Sequence, residues 1–162
     1  MGNNVIIRDF IKPGDVGGII QLHGEYYFRK NGFDCTFEPY VAIPLSEFVL
    51  RGDGGEKLWV VERAGVVAGS IAVTRSDEVR AQLRWYMLDE SILGMGIGRE
   101  LIENALTFAK TKDYKKMILW TVNEQEKAIG VYKKNGFVLV EEKQHFLWGK
   151  MVTEQCYEKD FD

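Results

Sequence analysis

The sequence predicts one α/β domain on a mixed central sheet, with elements in the order βααβββαβαββ across residues 1–162. Three observations predict it. Strand-like apolar runs at Leu58 to Arg63, Val66 to Thr74 and Arg80 to Leu88 follow one another across short turns, as in an antiparallel meander. A loop comes next in which Gly94, Gly96 and Gly98 alternate with apolar residues. Beyond it, Leu101, Ile102, Ala105, Leu106 and Ala109 recur at helical spacing before another strand-like run, giving a strand-helix-strand unit that should cross right-handed.

Each element has a local reason. Val5 to Phe10 alternates apolar residues and is stopped by Pro13-Gly14. Ile19, Ile20, Leu22, Tyr26, Tyr27 and Phe28 predict a helix from Val16 to Lys30, ended by Asn31-Gly32. Pro39 to Val49 predicts a second helix through Val41, Leu45, Phe48 and Val49, with Pro44 expected to kink or divide it. Ala64-Gly65 suits a hairpin turn, and Ser76-Asp77-Glu78 turns the chain again before Arg80. Lys116 to Val122 reads as a strand and Glu124 to Lys134 as a helix closed by Asn135-Gly136. Phe137 to Leu147 and Thr153 to Asp160 supply the last two strands.

Composition bounds the function. At 46% apolar and 28% charged residues the chain can bury a sizeable core. Its 21 basic and 24 acidic residues give a formal net charge of −3, which argues against nucleic acid or an anionic membrane as partner and mildly favours a cationic or neutral substrate. No apolar run is long enough to span a bilayer, and Met1-Gly2-Asn3-Asn4 resembles neither a secretion signal nor, with Ile6 where Ser or Thr is preferred, a myristoylation site. Cys35, Cys156, His23 and His145 lack metal-ligand spacing, so no metal site is expected and a reduced cytoplasmic protein is the simplest reading.

The glycine loop between a strand and a helix start suits an anion, because glycines admit a close ligand and the first helical amides have no intrahelical acceptor. A dinucleotide fingerprint would need glycine or alanine at Arg99, and a P-loop needs a lysine where none occurs between Lys57 and Lys110. The run Leu93-Gly94-Met95-Gly96-Ile97-Gly98 instead resembles the pyrophosphate loop of the GNAT N-acetyltransferases, Arg/Gln-x-x-Gly-x-Gly/Ala, with Leu93 replacing the usual first residue. Ala128-Ile129-Gly130-Val131-Tyr132-Lys133-Lys134-Asn135-Gly136-Phe137 resembles the same family's A-x-x-L-Y-x-K-x-G-F segment. Leu83-Arg84-Trp85-Tyr86, Leu119-Trp120-Thr121 and Val140-Glu141-Glu142 further resemble GNAT domains often fused to winged-helix regulators.

The resemblance implies a GNAT-like domain that uses acetyl-CoA to acetylate a primary amine of a small molecule or peptide by direct transfer in a ternary complex. It implies a fourth strand splayed from the fifth, with Met87 and Leu88 main-chain groups facing pantetheine and the Leu88 amide as oxyanion donor. It implies a cofactor cradle at Leu93, Gly94, Met95, Gly96, Ile97, Gly98 and Arg99, with Asn123 or Gln125 beyond the fifth strand. Tyr132 is implied as the acid for the leaving thiolate, although on residue pattern alone it packs beside Ala128 and Val131. Glu25, Tyr26, Phe37, Glu38, His145 and Trp148 are implied around the acceptor, with Glu25, Glu38 or a water chain as the base; Trp85 and Trp120 read as packing. A homodimer is compatible with the aromatic C-terminal strands. Two other classes remain open: a non-catalytic acyl-CoA sensor or interaction module, suggested by Leu93, and a nucleotide-binding protein using the same loop.

Overall fold

The computed structural model describes residues 4–162, so Met1-Gly2-Asn3 and any reading of them lie outside it. The elements are β1 (Val5–Arg8), α1 (Asp15–Asn31), α2 (Phe37–Arg51), β2 (Lys57–Arg63), β3 (Val66–Arg75), β4 (Arg80–Leu88), α3 (Ile97–Thr111), β5 (Lys116–Val122), α4 (Glu126–Lys134), β6 (Val138–Leu147) and β7 (Lys150–Asp160). A short 3-10 turn, Glu90–Ile92, links β4 to the glycine loop. The order is the one the sequence predicts, on one seven-stranded sheet ordered β1-β2-β3-β4-β5-β7-β6. All neighbours are antiparallel except β4 and β5, the parallel pair joined by α3. Among the described residues no helix is long and apolar enough to cross a membrane.

Two apolar cores lie on opposite faces of the sheet. On one face Leu101, Ile102, Ala105 and Ala109 of α3 and Ile129 and Tyr132 of α4 pack with Ile71, Leu83, Met117 and Leu119. On the other, Ile19 of α1 and Phe37, Val41, Leu45 and Phe48 of α2 pack with Val60, Ala72, Trp85 and Trp148. Pro44 does not divide α2, which runs unbroken from Phe37 to Arg51. Val41 before it and Leu45 and Phe48 after it are buried in one core, and this packing holds both halves together despite the missing N–H. β1 stops at Arg8 rather than Phe10, because the Arg8 guanidinium turns inward onto both oxygens of buried Asp15, each at 2.9 Å. β7 begins at Lys150 rather than Thr153: Trp148 and Gly149 take φ of 52° and 85°, forming a two-residue turn that extends the β6–β7 ladder to Leu147 opposite Lys150.

β4 carries the departure that shapes the rest. Its pairing with β3 passes from Ala72 opposite Arg84 to Ser70 opposite Met87, so β4 holds one residue more than its partner. This is a β-bulge, and Trp85 takes the left-handed φ of 48° within it. The Ser70 hydroxyl donates to the Trp85 carbonyl at 2.6 Å in the buried interior, fixing the irregular peptide. Before the bulge Ala81 and Leu83 face α3 and α4; after it Tyr86 and Leu88 pack on that side. Trp85 packs on the α1–α2 side, edge-on to Phe48. Parallel pairing with β5 covers only Arg80, Ala81 and Gln82, whereas β5 stays paired with β7 as far as Val122 opposite Glu154. From Leu83 onward, β4 and β5 diverge into a wedge.

Gly69 sits opposite Leu88, where the bulged strand presses closest: a Cβ there would lie 2.8 Å from the Met87 carbonyl oxygen and 3.3 Å from Val61 Cβ. Gly69→Ala is therefore expected to lower the unfolding free energy by about 1–3 kcal/mol, the range for overpacking a tight interior. Urea denaturation of the two proteins checks this, and equal midpoints would refute the close approach.

Candidate active site in the wedge between β4 and β5

Two clefts open from the wedge, one toward each side of the sheet. The first lies under α1 and α2 and is lined by His23, Tyr27, Phe37, Tyr40, Trp85 and Trp148, with Arg84 and Glu154 as its charged residues. The second lies between α1, α4 and the end of β4, bounded by Tyr26, Lys30, Met87, Leu88, Leu93, Gln125 and Lys127. Tyr27, Tyr86, Thr121 and Tyr132 line both. These four residues mark the junction at which a molecule in one cleft would meet a molecule in the other.

Tyr132 is buried on α4, and its hydroxyl makes no hydrogen bond among the described residues. No fully enclosed side-chain N or O atom in that set lacks a partner, so its hydroxyl opens onto the junction. Burial drives its pKa well above the ordinary phenol value, and burial likewise pushes Tyr86 up to about 12. Both stay protonated at neutral pH and can donate. The Asp89 amide bonds Ala68 of β3 at 2.7 Å, and the Met87 carbonyl points at Gly69 of the same strand. The alternation of an extended chain then turns the Leu88 N–H away from β3 and into the wedge.

Three features shape the glycine loop. Leu93, at φ −65° and ψ 148°, followed by Gly94 at φ 75°, forms a type II turn that requires glycine second. Gly96 takes φ 80° just before α3, and the amides of Ile97, Gly98 and Arg99 begin that helix with no acceptor among the described residues. Gly98 lets the helix start lie close to β4: a Cβ there would stand 2.8 Å from Tyr86 Oη and 2.9 Å from Leu88 Cδ1. The Leu93 side chain is 50% exposed and lines the second cleft, offering no hydrogen bond. Arg99 points outward, 85% exposed, and pairs with Glu103 at 2.8 Å.

The structure brings some of the residues marked in the sequence together and leaves others apart. Met87, Leu88, Leu93 and Tyr132 line the second cleft, and Gly94, Met95, Gly96, Ile97, Gly98 and Arg99 continue from its rim into α3. Asn123 lies outside both clefts with its amide on the Thr153 carbonyl, whereas Gln125 lines the second cleft and donates to Asn31 Oδ1 at 2.9 Å. Glu25 faces solvent on α1 and accepts from Gln21, and Glu38 lies exposed across Gly24; neither reaches a cleft. Tyr26 stands in the second cleft rather than in the first. His145 lies outside too, but its Nε2 contacts the carboxylate of Glu154, which lines the first cleft. Phe37 and Trp148 line the first cleft, as expected.

His23, Tyr27, Tyr86, Arg84, Thr121, Glu154, Lys30 and Lys127 were not marked as site residues in the sequence, although Arg84, Tyr86 and Thr121 fall within the runs that resemble regulator-fused domains. His23 is buried in α1, its Nδ1 bonded to the Ile19 carbonyl at 2.8 Å, which assigns the proton to Nδ1. Its Nε2 has no partner among the described residues and opens to the first cleft. Burial lowers its pKa from 6.5 to about 4, so the imidazole is neutral at pH 7. An apolar i, i+4 pattern in α1, with Ile19 and Tyr27 on either side of His23, was the available signal that it faces inward.

Comparison with known proteins gives a consistent result. The model of the acetyltransferase (GNAT) family matches residues 19–137. N-acetyltransferase 8B of Homo sapiens is 30% identical over 103 residues, covering 60% of this chain and 45% of that protein. The chain spans less than half the length of the curated relatives it matches. An N-acetyltransferase structure from Staphylococcus aureus Mu50 superposes with a TM-score of 0.77 at 20% identity, covering 97% of this chain and 98% of that one. An acetyltransferase from Salmonella typhimurium, solved with its cofactor acetyl-CoA, gives 0.76 at 17% identity over 98% and 94%. Most of these relatives carry N-acetyltransferase names, and the expected kinship with regulator-fused domains is not borne out.

Burial of neutral His23 fixes the sign of an acid effect. Between pH 6.5 and about 4 the unfolded chain binds a proton at this imidazole that the folded chain does not. That part of the stability is complete above pH 6.5 and is lost as pH falls, by at most about 1.4 kcal/mol per pH unit. Thermal melts from pH 7.5 to 4.5 should show a shallower decline for His23→Gln than for the parent; parallel declines would refute the buried neutral state.

Proposed function

The chain belongs to the GNAT family of acetyltransferases, and from that premise we propose that it is an acetyl-CoA-dependent N-acetyltransferase acting on a primary amine by direct transfer in a ternary complex. The observation that carries the reading is the wedge itself, where a cofactor-side cleft and an aromatic acceptor-side cleft meet at Tyr132. The residues present fit acetyl-CoA. The free amides of Ile97, Gly98 and Arg99 suit a pyrophosphate, and the unpaired edge of β4 at Met87 and Leu88 suits the amides of a pantetheine arm. Lys30 and Lys127 border the same cleft.

When bound, acetyl-CoA supplies an electrophilic thioester carbonyl and a thiolate leaving group. The Leu88 N–H, turned into the wedge, is suited to donate to the charge that develops on the carbonyl oxygen. Tyr132 holds its proton at the junction and gives it to the departing sulfur. On the acceptor side, Glu154 faces the cleft and its partner His145 is half-exposed on the outside, which supports a path for the amine's proton to solvent. Burial of the aromatic residues keeps bulk water from the junction and strengthens each of these interactions.

Leu93 favours a second reading, a non-catalytic acyl-CoA sensor, since its side chain gives the phosphates no hydrogen bond. The two readings share cofactor binding and differ in turnover. We also propose that the protein works in a reducing, cytoplasmic compartment, supported by two cysteines that form no disulfide with each other, Cys35 exposed and Cys156 buried. The exposed apolar residues Val138, Val140 and Phe146 on edge strand β6 support a homodimer.

Calorimetric titration with acetyl-CoA should give binding that weakens with dephospho analogues, followed by thiol release on adding amines. Tyr132→Phe should retain cofactor affinity and lose about 10²-fold in turnover, the lower end for removal of a positioned acid. Unchanged turnover would remove Tyr132 from the chemistry; binding without thiol release from any amine would favour the sensor.

A further inference from the structure

Arg84 stands out among the arginines. Those at 8, 29, 51, 75, 80 and 99 each meet a carboxylate. Arg84 has no hydrogen bond and no ion pair among the described residues; its guanidinium carbon lies 4.9 Å from the ring centre of Trp85. Neighbours in a regular strand point to opposite faces, and it is the bulge that puts Arg84 and Trp85 on one face, where both line the acceptor cleft and Arg84 also borders a neighbouring cleft beside Glu47, Arg51 and Asp53 of α2 and the loop after it. The fork is partly buried, and burial lowers its pKa, yet a guanidinium stays charged in any protein environment. The charges that sense it are already engaged or set apart: Glu56 is bound by Arg51 at 2.6 and 2.8 Å, Arg51 repels it, and Glu47 is exposed outside hydrogen-bond reach. A desolvated cation without a counter-ion raises the energy of the empty cleft, and a planar anion that grips the fork relieves it.

The opposite charge in the cleft is Glu154, and the Tyr40 hydroxyl senses both Glu154 and Arg84. The cleft thus presents a cationic fork and a carboxylate on an otherwise aromatic lining. We infer that the acceptor is a small amino acid, a primary amine that also carries a carboxylate, with Arg84 holding that carboxylate and Glu154 facing the amine. This rests on the acetyl-transfer reading and narrows its acceptor. In the reaction the ammonium group first loses one proton to solvent. The neutral nitrogen then bonds the acetyl carbon as the carbon–sulfur bond breaks, Tyr132 protonates the sulfur so that coenzyme A leaves as the thiol, and the second amine proton restores Tyr132. The roles are divided: Arg84 sets specificity by binding, and the junction residues carry the transfer.

The test compares the common α-amino acids with their decarboxylated amines, such as phenylalanine with phenethylamine and leucine with isoamylamine. Binding is followed calorimetrically on the full chain saturated with coenzyme A, and turnover by thiol release with acetyl-CoA. At least one amino acid should bind about tenfold or more tighter than its decarboxylated partner, as a charge-assisted bidentate contact provides. Arg84→Gln should erase that difference through KM while leaving acetyl-CoA affinity unchanged. Arg84→Lys, which keeps the charge but not the fork, should retain part of it, and thermal melts check that both variants fold. Equal binding of the two partners in every pair, or no amino acid bound, overturns the assignment of Arg84. A carboxylate preference abolished by Arg84→Gln without any thiol release would instead overturn acetyl transfer and leave the Arg84 site standing.

Discussion

The bulge in β4 is the constraint on which the site depends. One extra residue at Trp85, held by a left-handed backbone and the buried Ser70 hydroxyl, changes which face each later side chain occupies. Tyr86 and Leu88 are thereby delivered to the side of α3, close against Gly98, and Trp85 to the side of α2. A left-handed non-glycine residue costs about 1 kcal/mol or more, and the structure offsets it with an aromatic core contact and a buried hydrogen bond. The same irregularity coincides with the point where β4 leaves β5, so a strand that would otherwise be sealed on both edges keeps one edge open.

The open edge explains the electrostatics of the two clefts. Closing a sheet around a wedge leaves its lining partly desolvated, and the buried imidazole and phenols of His23, Tyr27, Tyr86 and Tyr132 have responded in the direction burial dictates. His23 is neutral, and Tyr27, Tyr86 and Tyr132 are held as phenols. Protonated donors and a bare imidazole nitrogen around one junction suit the handling of protons better than the binding of a permanent ion. Arg84 is the exception in sign, a charge that burial disfavours and that forms no ion pair among the described residues.

The proposed cofactor side was legible in the sequence because its parts are local. A type II turn, a helix start and a close helix-to-strand approach each require glycine at a fixed chain position, so Gly94, Gly96 and Gly98 announce the loop's geometry without help from distant residues. The acceptor side was not legible in this way. Glu25 and Glu38 carry the right chemistry but sit on the outer faces of α1 and α2, and the acidic residue that does line the cleft, Glu154, comes from β7 more than a hundred residues later. Helical phase decides such questions: His23 and Tyr27, one turn apart, face inward, while Glu25 between them faces out.

Sequence by itself determined the order of elements, the glycine loop, the helix that carries Tyr132 and the family these imply. Each is encoded in short-range periodicity or in residues that a single turn demands. Tertiary structure alone decided the rest. It kept α2 whole across Pro44 through packing on both sides, inserted a bulge into a run that reads as plain alternation, and joined His145 to Glu154 across a hairpin. It also left Arg84 lining a cleft with no ion pair among the described residues. These outcomes depend on which faces meet across the sheet, a property of strand register and packing that no local stretch of the chain contains.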